Sequence, residues 1–199
     1  LDYSGLVLVF RNDLVIRKEE RELICESLSV LKDSVDRALE YEDLFEAAKK
    51  DSLTGLANRR VFDERIGYLM ESSRRYKQPL SLIALDLDHF KLVNDVYGHA
   101  EGDNVLKKVT ATFAGLVRSS DLLARMGGDE FMLLLPNTDT ESARVLAERL
   151  CTAVSDLDIE VDDSTRLGVS IGLSQWQPGM NKEDWLALTD DRLYQAKKR

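Results

Sequence analysis

Apolar positions along this chain follow two different rhythms. Between residues 17 and 50, Ile24, Leu28, Leu31, Val35, Ala38, Glu42 and Phe45 recur at alternating steps of four and three, with one polar residue interrupting the stripe. That spacing predicts a long amphipathic helix and fits two uses equally: the seam of a coiled coil, or packing against the chain's own domain. Ahead of it, SGLVLVFRNDLVI (4–16) predicts a short strand and turn. DSLTGLANRR (51–60) breaks the helical rhythm with Ser, Thr and Gly and marks a domain boundary.

Past residue 60 helical and extended patterns alternate. Helices are predicted over 60–76, 89–95, 103–117, 139–155 and from 182 to the end. Strands are predicted over PLSLIALDL (79–87), LLARM (122–126), FMLLLP (131–136) and TRLGVSIGLSQW (165–176). GHAEGD (98–103) is expected as a loop. The strands are apolar almost throughout, so the sheet should be covered on both faces, or on one with the other shielded by partners. Mixed order with a central hairpin predicts an α/β (α+β) domain, a sheet of about five strands flanked by helices. No internal repeat is visible.

Composition narrows the function. The chain has 199 residues, 44% hydrophobic and 32% charged, and is a soluble globular type with room for one good-sized domain and an appendage, or for two small domains. Thirty-six acids against 27 Lys and Arg give a net charge of -9, which argues against a broad basic surface for nucleic acid. A phosphate-bearing ligand would need cations to accompany it. Cys25 and Cys151 have no CxxC or Cys/His cluster beside them, which fits a reducing cytoplasm rather than a disulfide or zinc framework. LVLVF (6–10) is too short for a membrane span or signal peptide. The chain begins with Leu, so it is expected to be a piece of something longer, and an upstream membrane anchor stays open.

Acids are concentrated where strands end. In RMGGDEFMLLLP (125–136), Gly127 and Gly128 signal a hairpin turn, because glycine accepts positive φ. That turn does not need Asp129 and Glu130 side by side before a buried strand, since adjacent carboxylates repel and desolvate poorly. In LDLDHF (85–90), Asp86 and Asp88 share one side of the pleat. If the two strands are neighbours, Asp86 meets Asp129 and Glu130, and three carboxylates converge on a site for Mg²⁺ and substrate phosphates. The competing reading, solvated acids at strand ends, is the one that spacing alone favours.

Four motifs in order, DSLTGLANRR (51–60), LDLDHFKLVND (85–95), GHAEGD (98–103) and GGDEF (127–131), resemble the GGDEF family of diguanylate cyclases over about residues 50–199. The resemblance implies a sheet like the palm of nucleotide polymerases and adenylyl cyclases. It implies attack of the 3′-hydroxyl of one GTP on the α-phosphate of another, performed twice, giving cyclic di-GMP and pyrophosphate. Mg²⁺, with Mn²⁺ as a substitute, would be held by Asp86 and Glu130, by the Leu87 carbonyl and by Asp129, which alternatively helps deprotonate the ribose hydroxyl. Asp129 and Glu130 would be the catalytic acids, and Gly127 and Gly128 would take part in binding the substrate.

By the same resemblance Asn94 and Asp103 read guanine, the amides of His89, Phe90 and Lys91 cradle phosphates, and Lys197 contacts them. A carboxylate suits the N1 and N2 protons of guanine, which adenine lacks. The ordinary readings are a helix N-cap for Asp103, a loop hydrogen bond for Asn94, and solvated charges for Lys91 and Lys197. Arg118 and Asp121, in RSSD, match an inhibitory RxxD site for the product, with Arg149 as a second contact; an arginine at a helix end also has a dipole explanation. The resemblance implies a further Gly-Arg-Asn segment whose arginine holds phosphate; with the sequence running to Arg199, either it is a trimmed piece or that contact is lost, in which case Lys198 and Arg199 would substitute in part. The expected organisation is a remnant of an upstream, GAF-like sensor (1–16), a helical linker that pairs two chains (17–50) and a catalytic domain (51–199). A non-catalytic GTP- or cyclic di-GMP-binding module is the alternative, and a polymerase-like transferase a weaker third, against which the acidic surface argues. No nucleic acid and no membrane contact are expected of this fragment.

Overall fold

Nine residues of a single interior strand, Leu80–Asp88, are flanked by a strand on each side and covered almost to the last one. This computed structural model describes residues 17–47, 49–162 and 164–198. The strand and turn expected over 4–16, residue 199, and the side chains of Leu31, Ala38, Glu42 and Phe45 lie outside that description.

The chain divides into two units, Leu1–Glu46 and Ala47–Arg199. In the first, helix α1 (Lys18–Ala47) runs for 30 residues. Along it Ile24 and Leu28 are partly covered, whereas Leu23 and Val35 are 65% and 54% exposed. Among the described residues no helix is long and apolar enough to cross a membrane.

The second unit contains β1 (Ala57–Asn58), α2 (Arg59–Tyr76), β2 (Leu80–Asp88), α3 (Phe90–Tyr97), α4 (His99–Leu116), β3 (Leu122–Gly127), β4 (Glu130–Pro136), α5 (Thr140–Ser155), β5 (Gly168–Gln175) and α6 (Lys182–Lys197). The sheet order is β1-β3-β4-β2-β5. β2 is antiparallel to both its neighbours, and β1 is parallel to β3.

Side chains alternate across the pleat and so build two cores. On one face Ile83, Leu85, Leu87, Phe131 and Leu133 pack against α3, α4 and α5, with Phe113 meeting Phe131 edge-on at 5.7 Å. On the other Leu80, Leu82, Ala124 and Leu134 pack against Phe62 and Ile66 of α2 and Trp176 and Trp185. Both faces are therefore covered, as the continuous apolar strands predict. Asp86 follows the parity of Leu80 and Leu82, and Glu130 that of Leu134, which puts both acids on the α2/α6 face.

Three expectations are corrected. GHAEGD is not a loop: Gly98, at φ 84°, ends α3 and begins α4 within one residue, so His99 to Asp103 already lie in the helix. Asp103 is consequently no N-cap. The hairpin turn is Gly128–Asp129 rather than Gly127–Gly128, because an irregularity between Arg125 and Gly127 leaves Gly127 paired with Glu130. Glu130 thus opens β4 while Asp129 sits on the turn. β5 starts at Gly168, three residues later than the apolar run, since Arg166 and Leu167 pair back on residues 159 and 160.

Candidate active site

Asp86 stands directly opposite Glu130 in the β2–β4 register. Such cross-strand pairs bring Cβ atoms to within about 5 Å of each other. The Leu87 amide also donates to the Asp129 carbonyl at 3.3 Å, which fixes the turn against the end of β2. The Asp86 side chain is only 11% exposed and accepts from Lys197 Nζ at 2.7 Å. Burial pushes its carboxyl above the ordinary range, and Asp129 and Glu130 add to that; Lys197 opposes it. A pocket of about 300 Å³ opens here, with Asp86, Glu130 and Lys197 among its walls. Asp88, expected on the same side, turns instead to β5 and accepts from Ser170 Oγ at 2.7 Å.

Three carboxylates within mutual electrostatic reach do not make a closed cage. Among the described residues no group of three His, Cys, Asp or Glu side chains is arranged to hold a metal ion by itself. The donors present are the Asp86, Asp129 and Glu130 carboxylates and backbone carbonyls, all oxygen. That set fits Mg²⁺, which is ordinarily bound through one or two carboxylates with substrate phosphates and water supplying the rest. A divalent cation and the Lys197 ammonium would both draw on the Asp86 carboxylate, of which Lys197 occupies Oδ2.

Other expected residues fall on the same end of β2. His89 takes a left-handed conformation (φ 65°) at the start of α3, and the amides of Phe90 and Lys91 belong to that helix's first turn, where N–H groups have no partner within the helix. Phe90 is buried and Lys91 exposed. Asn94 lies against α4: a Cβ on Gly102 would stand 2.0 Å from Asn94 Oδ1, so glycine there lets Asn94 approach the residue preceding Asp103. Asn94 thus meets α4 one residue before Asp103, and neither residue is among those lining the pocket that holds Asp86, Glu130 and Lys197.

The boundary segment is clamped to the hairpin. Asp51 Oδ1 accepts from the Thr54 amide and hydroxyl, at 2.9 and 2.6 Å, and from Arg125 Nη1 at 2.9 Å. Arg125 also donates to the Gly128 carbonyl through Nε and Nη2, at 2.9 and 2.7 Å. Burial pushes the Asp51 carboxyl up, but the Thr54 hydrogen bonds and Arg125 outweigh it and hold it below its ordinary 3.8. A lowered folded-state value stabilises above the unfolded value and is lost as pH falls through the folded one. The melting-temperature gap between wild type and Asp51→Asn should therefore be widest at neutral pH and close in acid. A gap of constant size across the pH range would refute the clamp's contribution.

The RxxD pair lies at the other end of β3. Asp121 Oδ2 accepts from the Arg118 amide at 2.8 Å and the Asp121 amide donates back to the Arg118 carbonyl at 3.0 Å, closing a turn. Among the described residues the Arg118 guanidinium makes no hydrogen bond or ion pair. Arg149 is exposed on α5, which packs against α4.

Two charged residues missed by the sequence reading line the pocket, Arg59 at the start of α2 and Asp190 on α6. Burial and Glu130 push the Asp190 carboxyl up while Arg59 pulls it down. Helix spacing could have flagged Asp190, since 190, 193, 194 and 197 form one stripe.

A two-sided α/β sheet presenting a Gly-Gly-Asp-Glu hairpin beside a strand-end aspartate defines a palm-like cyclase domain. The family model described as "Diguanylate cyclase, GGDEF domain" matches residues 48–199, and the chain belongs to this family. It is 40% identical over 149 residues to a probable diguanylate cyclase, DgcE of Escherichia coli, covering 74% of this chain and 14% of that protein. It is 35% identical over 170 residues to the E. coli diguanylate cyclase DgcM, covering 85% and 41%. The chain thus spans less than half the length of these relatives. Among solved structures, the coiled coil and GGDEF domain of DgcB from Caulobacter crescentus, in complex with c-di-GMP, aligns with a TM-score of 0.80 at 28% identity, over 88% of this chain and 94% of that one. Diguanylate cyclase SiaD of Pseudomonas aeruginosa, in complex with its activator SiaC, aligns at 0.70 and 32% identity, over 90% and 70%.

Proposed function

We propose that residues 51–199 are the catalytic domain of a diguanylate cyclase that condenses two GTP into cyclic di-GMP and releases two pyrophosphates. The observation that carries this reading is the direct pairing of Asp86 with Glu130 on one face of the sheet, with Lys197 beside them. Asp86, Glu130, the Leu87 carbonyl and Asp129 would hold Mg²⁺, which when bound lowers the hydroxyl pKa and neutralises charge on the triphosphate. Asn94 and Asp103 orient guanine, and the α3 amides with Lys197 hold phosphates. The 3′-oxygen of each GTP bonds to the α-phosphorus of the other, the bond to pyrophosphate breaks, and Asp129 assists removal of the hydroxyl proton. Because one domain holds one GTP, two chains must face each other, and α1 is the pairing element.

With GTP and Mg²⁺ the purified chain should release pyrophosphate and form cyclic di-GMP, with no comparable turnover of ATP, and the rate per chain should fall on dilution. Equal use of ATP would overturn the guanine assignment. GTP binding without any product would make this a non-catalytic module.

We place product inhibition at Arg118 and Asp121, with Arg149 as a second contact, supported by a guanidinium free to fork onto the O6 and N7 edge of guanine. Arg118→Ala should then abolish inhibition by cyclic di-GMP while leaving the initial rate within about twofold, because surface substitutions of this kind barely move stability. Inhibition curves that superimpose on wild type would remove the assignment.

A further inference from the structure

Five charged side chains line the pocket beside the hairpin: Asp86, Glu130, Asp190, Lys197 and Arg59. Lys197 is paired with Asp86 at 2.7 Å. Arg59 is in a different position. It is exposed, and among the described residues it forms no hydrogen bond or ion pair.

Its helix explains why. The acid one turn along α2, Asp63, would ordinarily neutralise Arg59 at spacing i, i+4. Asp63 is instead bound by Lys182 Nζ at 2.6 Å, while the neighbouring Arg60 is paired with Glu64 at 3.0 Å. Arg59 is thus left facing the pocket, where Asp190 is the carboxylate that feels its charge.

The root of Arg59 is held firmly. Asn58 caps α2 through its side chain, which accepts from the Val61 amide. Asn58 is also registered against Arg125, the residue that clamps Asp51 and the Gly128 carbonyl. The guanidinium therefore projects from backbone tied to the hairpin that carries Glu130.

We propose that Arg59 is a further substrate-binding residue, contacting the polyphosphate of the nucleotide, and that Asp190 is the residue that positions it. This rests on the cyclase reading above for the identity of the substrate. A planar guanidinium with five donors matches phosphate oxygens in pairs, and a mobile one needs a nearby carboxylate to hold its fork in place. Asp190 and Lys197 lie two helical turns apart on α6, so the same helix would present one phosphate contact directly and orient the second.

The test measures binding of inorganic tripolyphosphate, GTP and GMP to the full chain with Mg²⁺. Arg59→Gln should weaken tripolyphosphate and GTP about tenfold, as loss of one charge-assisted contact does, and leave GMP within about twofold. Arg59→Lys, which keeps the charge but not the fork, should fall between, and guards against a folding defect in the first variant. Asp190→Asn separates the two roles by sign. If Asp190 acts only through its charge, neutralising it tightens polyphosphate; if it positions Arg59, neutralising it weakens polyphosphate and has no further effect in the Arg59→Gln background. Unchanged tripolyphosphate affinity in Arg59→Gln, an equal loss for GMP, or tighter binding by Asp190→Asn would overturn the proposal. Wild-type chain that binds these ligands but makes no cyclic di-GMP would count against the cyclase reading alone, since the binding comparison stands without turnover.

Discussion

Glu130→Ala is expected to lower cyclic di-GMP synthesis by at least about a thousandfold, the equivalent of roughly 4 kcal/mol of transition-state stabilisation. Glu130 is exposed at the first position of β4, so nothing in either core depends on it. Its loss also relieves like-charge repulsion on Asp86. The fold should therefore survive with a melting temperature at or slightly above wild type. Pyrophosphate release measured beside a thermal melt checks both halves. Turnover within tenfold of wild type would mean that Glu130 does not share in holding the reacting phosphate.

The second large effect is expected far from the acids, at Gly172 in β5. A Cβ built there would stand 2.3 Å from the Thr189 carbonyl oxygen, 2.5 Å from the Leu193 amide nitrogen and 2.8 Å from Leu193 Cβ. Two of these are backbone atoms of α6, which cannot rotate aside, so the helix must lift. Gly172 faces Ala84 across the β2–β5 register, and this small pair is what lets α6 lie so close to the sheet. The same contact carries the fully buried Trp185 and the 2.6 Å hydrogen bond between Ser174 Oγ and Thr189 Oγ1. Gly172→Ala should cost about 3 kcal/mol, or roughly 10 °C in melting temperature for a domain of this size. Lys197 and Asp190 move with α6, and a displacement of about 1 Å can lower turnover on the order of a hundredfold. Wild-type stability and turnover in this variant would contradict the packing.

What the sequence conveyed followed from where apolar residues lie. Both-face burial gives continuous apolar strands, and one-face burial gives helical stripes, so β2, β4, α2, α5 and α6 were legible to within a residue or two. β1 was not, because two residues carry no period. The start of α4 was hidden because HAEGD has no apolar stripe, and only the backbone of Gly98 opens that helix there. Gly172 carried no signal, since its requirement comes from a helix that returns from elsewhere in the chain.

The site was legible in a different way. Motif resemblance named Asp86, Glu130 and Lys197, but the opposition of the two acids depends on strand register, which no single segment encodes. That Lys197 grips Asp86 could not be read from either motif, since the bond spans 111 residues of sequence. Only the approach of α2 and α6 over the same face brings Arg59 and Asp190 to one pocket.

The central claim, that Asp86 and Glu130 share a divalent cation with the triphosphate, is tested most directly by a crystal structure of the chain with Mn²⁺ and a non-hydrolysable GTP analogue. Anomalous scattering from manganese should give a peak within about 2.3 Å of an oxygen of each carboxylate and of a phosphate, the distance expected for such hard-cation ligands. A nucleotide bound with manganese elsewhere, or with Lys197 still on Asp86 and no metal between the two strands, would contradict the account.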